Sequence, residues 1–149
     1  MARPYLGGSP AMIETLDGES SSTKTITLAD SGKVFIMKNE TTANSELVIS
    51  LPAASSCKGH YFTFVQDTVG TTDTEDISIN VNGTDDFVGH IVGQTGADNG
   101  MTASDSNVKI VFDQSNTPVP GDWVKIVSTG VHWYVTGVRN VADCVIFSD

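Results

Sequence analysis

The chain has 149 residues and a mass of 15.8 kDa, room for one domain with a substantial core and little room for two. Eight Lys and Arg against 18 Asp and Glu leave a net charge of -10, which argues against non-specific nucleic-acid binding and against an anionic membrane surface. No run approaches the ~20 apolar residues of a membrane-spanning helix, and no basic start followed by an apolar stretch resembles a signal peptide.

Val (17) and Ile (10) outnumber Leu (5), and Asp (13) outnumbers Glu (5). β-branched side chains suit a pleated sheet, and Asp favours turns where Glu favours helices. The composition predicts an all-β protein. Residues 1–23 show no sustained periodicity: Gly7-Gly8-Ser9-Pro10 and Gly18-Glu19-Ser20-Ser21-Ser22 flank a brief apolar patch, Met12 and Ile13. They read as an extended N-terminal arm outside the main domain.

From residue 24 onward strands and turns alternate. Thr25 to Leu28 alternates polar and apolar, and Asp30-Ser31-Gly32 supplies a turn. Val34-Phe35-Ile36-Met37 is apolar on both faces, so it predicts a central strand covered on each side. Leu47, Ile49 and Leu51 line one face before Pro52 ends the strand. Tyr61 to Val65 is the most aromatic run, and Ile77, Ile79 and Val81 alternate up to the Asn82-Gly83 turn. Phe87 to Val92 is a shorter candidate, and Val108, Ile110 and Phe112 repeat the two-residue period. Between them Gly93 to Asn107 reads as one long polar loop. Trp123 to Ser128 and His132 to Thr136 predict a hairpin, and Cys144 to Phe147 a last strand. The pattern predicts about nine to ten short strands over 24–149, a single antiparallel β-sandwich or barrel of jelly-roll type.

Chemistry-bearing motifs are scarce. No phosphate-cradling loop, nucleophile elbow or H-E-x-x-H is present. Asp30-Ser31-Gly32 is the triplet of aspartic proteases, but charged Lys33 follows where that family keeps a small residue, and a strand-ending turn accounts for it. His60, His90 and His132 stand singly. Asp73/Asp76 and Asp85/Asp86 lack the regular spacing of a calcium loop and read as turn carboxylates. Cys57 and Cys144 read as small buried hydrophobes, and Asn39 and Asn82, though in glycosylation-type triplets, as turn residues. Catalytic residues, metal ligands and cofactors are therefore not expected. Trp123, Trp133 and Tyr134 lie close together in the predicted hairpin, either as a surface aromatic cluster able to stack on sugar rings or as the end of the core.

Two segments together resemble virion proteins of tailed bacteriophages. Leu51-Pro52-Ala53-Ala54 followed by Lys58-Gly59-His60-Tyr61-Phe62-Thr63-Phe64-Val65 is similar to a recurrent strand pair of those proteins. Gly121-Asp122-Trp123-Val124-Lys125-Ile126-Val127-Ser128 with His132-Trp133-Tyr134-Val135-Thr136-Gly137 is similar to their closing hairpin, departing from it only in the turn at 128–132. Thr25 to Phe35 matches their opening strand and turn, so the resemblance spans residues 24–137. It implies a structural β module, a capsid decoration (cement) protein or a part of a head fibre. Without repeats or long extended segments, decoration is the better-fitting role.

Such a protein would be made in the host cytoplasm and carried on the outer capsid surface of the virion. It would bind the major capsid protein as a homotrimer and bridge neighbouring capsid subunits, with no nucleic-acid or membrane partner. Arg3, Tyr5, Leu6, Met12 and Ile13 of the arm would contact a neighbour or the capsid. The alternative is a receptor- or glycan-binding module of a phage fibre or spike, using Trp123, Trp133 and Tyr134.

Overall fold

A computed structural model describes residues 12–18, 23–38, 46–68, 76–94, 100–103, 106–116 and 118–149. Among these the chain forms twelve strands and three short 3-10 turns. The strands are β1 (Ile13–Asp17), β2 (Thr23–Thr25), β3 (Val34–Lys38), β4 (Leu47–Ser50), β5 (Tyr61–Thr68), β6 (Ile77–Asn80), β7 (Phe87–Gly93), β8 (Met101–Thr102), β9 (Lys109–Phe112), β10 (Trp123–Ser128), β11 (Trp133–Arg139) and β12 (Val145–Ser148). No described helix is long and apolar enough to cross a membrane.

The strands make two sheets packed as a sandwich, one ordered β1-β3-β5-β10-β11-β7-β8 and one ordered β12-β9-β6-β4-β2. Period-2 alternation places one row of each strand inside. Phe35, Phe62, Phe64, Val124, Ile126 and Trp133 from the larger sheet meet Ile49, Ile77, Ile79, Ile110, Phe112 and Phe147 from the smaller, all at most 6% exposed. Phe35 stacks on Phe64 at 5.1 Å, and Phe87 reaches Phe147 across the interlayer space at 6.4 Å.

The fold is all-β, as the composition predicts, but the pairing is not purely antiparallel. Half of the described pairings are parallel. The physical reason lies in the connections. From β1 to β7 successive strands alternate between the two sheets, so the chain crosses the sandwich at every link. Strands two apart in sequence then become neighbours running the same way, as in β1-β3-β5 and β2-β4-β6.

Three local expectations are revised. Residues 13–17, read as arm, form β1, an edge strand parallel to β3. The expected strand over 25–28 gives way to a strand at 23–25 and a 3-10 turn at Leu28–Asp30, because the Asp30 carboxylate accepts hydrogen bonds from Thr27 N (2.8 Å) and Thr27 Oγ1 (2.9 Å) and curls the chain. The long loop of 93–107 contains β8, which pairs antiparallel with β7.

β1 is tied to the rest by ions. Glu14 faces inward opposite Phe35 and pairs with Lys24 and with Lys33 (2.8 Å), while Lys33 also reaches Asp30 at 2.6 Å. Hydrogen bonds from Lys24 and Lys33 hold the Glu14 carboxyl below its ordinary 4.5. For Asp30 burial pushes the carboxyl up, but hydrogen bonds from Lys33 and Thr27 outweigh it and leave it lowered. Lowered carboxylates stabilise the fold above their unfolded values and lose that contribution as pH falls through the folded ones. Stability is therefore expected to decline below about pH 4.5. Glu14→Gln is expected to flatten that decline while costing about 1 kcal/mol at neutral pH, since solvent screens such pairs. Thermal melts of both proteins across the acid range test this; parallel pH profiles would refute it.

Candidate interaction surface

The motif segments of the resemblance are built as ties between loops. Ala54, at the 3-10 turn Ala54–Ser56, accepts from Ser128 Oγ at 2.8 Å through its carbonyl and donates its N–H to Asp85 at 2.8 Å. Leu51-Pro52-Ala53-Ala54 is thereby fastened to the end of β10. In Gly121-Asp122-Trp123, Gly121 takes φ +99° and Asp122 is fully buried. The Asp122 carboxylate accepts from Val119 N (2.9 Å), Asn140 N (2.9 Å) and Asn140 Nδ2 (2.7 Å), with the Cys144 thiol at 3.3 Å.

The remaining chemistry-bearing candidates are engaged locally. Asp76 accepts from Gln114 N at 3.1 Å, and Asp86 pairs with His132 Nδ1. Asp73 lies outside the described residues. His60 enters β5 half-buried, whereas His90 is exposed on β7, opposite Thr136 and Thr102. Among the described residues no group of three or more His, Cys, Asp and Glu converges on a point. Cys57 and Cys144 are buried free thiols. Burial pushes both thiols up, Cys144 to about 12, so neither is a nucleophile at neutral pH.

Hairpin register separates the three aromatics. Ser128 pairs with Trp133 and Trp123 with Val138, which puts Trp133 inside and both Trp123 and Tyr134 outside. Trp133 is 0% exposed, its ring 5.9 Å from that of Phe62. Trp123 and Tyr134 lie four residue pairs apart along the hairpin, about 13 Å. They share a face but form no cluster. Of the arm residues, Arg3, Tyr5 and Leu6 lie outside the described residues, while Met12 and Ile13 are 57% and 70% exposed.

What the structure does assemble is the outer face of the larger sheet. The registers align Ile36, Val65, Trp123, Val138 and Val92 in one row across five strands. A second row holds Tyr61, Val127, Tyr134 and Val88. Between them runs a mixed row: Ile13, Val34, Thr63, Lys125, Thr136 and His90. Every residue in these rows is half-buried or exposed. Lys125 lies 4.7 Å from the centre of the Tyr61 ring, a cation–π contact that keeps its ammonium over the face. This surface escapes the sequence reading, which expects Val34–Met37 to be a central strand covered on each side; β3 instead lies next to the edge strand β1, and Val34 and Ile36 stay partly exposed. Comparison with protein-family models, with curated proteins and with solved structures gave no match.

Proposed function

We propose that this chain is a bacteriophage capsid decoration protein that binds the outer capsid surface as a homotrimer and stabilises the head by bridging neighbouring capsid subunits. The observation that carries the reading is the pair of virion-like segments at 51–65 and 121–137. They fold as direct neighbours, β5 against β10 and β10 against β11, at the middle of the larger sheet. A small sandwich that can associate with its own copies suits a role repeated over a lattice. Many modest contacts repeated over a shell add up by avidity. The acidic charge suits a position away from the packaged genome. The glycan-binding alternative drew on three aromatics acting together, and with Trp133 inside the core no observation favours it.

The test is the copy number of this protein per purified virion relative to the major capsid protein. A near-stoichiometric ratio is expected. A handful of copies would place it on a tail or fibre, and absence from the particle would end the reading.

A further inference from the structure

We infer that the outer face of the seven-stranded sheet is a self-association surface, covered by a second copy of this chain. The inference goes beyond the capsid reading and holds whether or not the protein decorates a shell. Its first support is a mismatch between pattern and packing. The run Val34-Phe35-Ile36-Met37 is apolar on both faces; Phe35 and Met37 are fully buried, whereas Val34 and Ile36 stay half-exposed. Tyr61, Tyr134 and Val92 on the same face are 42%, 51% and 48% exposed. A monomer has little reason to display apolar rows of this extent to water.

The area is sufficient. Six strands about 4.8 Å apart and three outward rows about 6.6 Å apart make a flat area of roughly 500–600 Å². The accessible surface of a corrugated face is larger, near the ~800 Å² that each partner of a standard interface contributes.

Charge selects the occupant. The whole chain carries -10, yet the three rows hold no carboxylate; their only ionisable groups besides tyrosine are Lys125 and His90. Beyond the rows, acid returns at Asp17, at Asp67, which pairs with Lys38 at 3.7 Å, and at Asp86, which pairs with His132. A basic partner would be drawn to carboxylates and so to other surfaces. Two acidic copies repel one another elsewhere, but can close over an acid-free face without bringing carboxylates together.

The test is sedimentation equilibrium of the full chain from low to high micromolar concentration, at low and high NaCl. Association is expected, and it should tighten with salt, because salt screens the repulsion between copies while the contact itself is apolar. Tyr134→Glu and Val92→Glu should each weaken it at least about tenfold, whereas Val108→Glu, outside the three rows, should not. Both positions on the face are well exposed, and circular dichroism confirms that each variant is folded. A 15.8 kDa species at every concentration would overturn the inference. So would association that loosens with salt, or association indifferent to both face variants.

Discussion

Asp122→Ala is expected to lower the unfolding free energy by about 3–5 kcal/mol, near the top of what single substitutions do. The carboxylate is 0% exposed and has no lysine or arginine bound to it in a salt bridge among the described residues. It is satisfied instead by donors from two directions: Val119 N on one oxygen, and Asn140 N with Asn140 Nδ2 on the other. Alanine removes both acceptors and leaves these donors facing a void, at about 1–3 kcal/mol for each one that stays dry. The damage spreads, because Asp122 joins the entry to β10 to the exit of β11, and its own carbonyl accepts from Gln66 N at 2.8 Å. Asp122→Asn should cost about half as much: one oxygen can still serve Asn140, but the amide NH₂ would confront the Val119 N–H. Glu46→Ala, at an exposed residue, should shift stability by less than about 0.5 kcal/mol. Urea melts with unchanged slope and a shifted midpoint would establish the ranking. Equal midpoints for Asp122→Ala and Glu46→Ala would show that the buried carboxylate is not the tie it is argued to be.

The inner rows were legible because burial in a sheet follows parity. Leu47, Ile49 and Leu51, or Ile77 and Ile79, read correctly without any knowledge of their partners. Strand direction was not legible, since a two-residue period looks the same in parallel and antiparallel neighbours. The crossing connections that make β1-β3-β5 parallel leave no mark on that period. β1 was hidden for a specific reason: its inward positions are Glu14 and Leu16, and the acid breaks the apolar alternation. Only the lysines at 24 and 33, remote in sequence, make Glu14 acceptable there. The aromatic cluster failed on parity. Adjacent residues 133 and 134 necessarily point to opposite faces, and which face is inside depends on a hairpin offset that no local signal sets. The outer face suffers the same way: its rows are assembled from six strands between residues 13 and 138.

Gly89→Ala tests the parallel topology directly and is expected to cost about 3–5 kcal/mol, as backbone strain and overpacking each add about 1–3 kcal/mol. Gly89 lies on β7 opposite Val135 of β11, in a parallel pairing, with φ +135°. A Cβ there would stand 2.0 Å from the Val135 carbonyl oxygen and 3.0 Å from the Val135 N and C atoms. The obstacle is main chain, so no rotamer relieves it; β7 must move off β11, and β8 with it, since Ala103 N donates to Gly89 O at 2.9 Å. Gly83 supplies the control. Its φ is +60° and nothing lies within 4 Å of an added Cβ, so Gly83→Ala should show the left-handed penalty alone, about 1–2 kcal/mol. The excess cost of Gly89→Ala over Gly83→Ala in urea melts reports the steric contact together with the greater strain of φ +135°. If Gly89→Ala were no worse than Gly83→Ala, the close approach of β7 to β11 would be refuted. With it would go the alignment that places Val88, His90 and Val92 beside Tyr134, Thr136 and Val138 on the outer face.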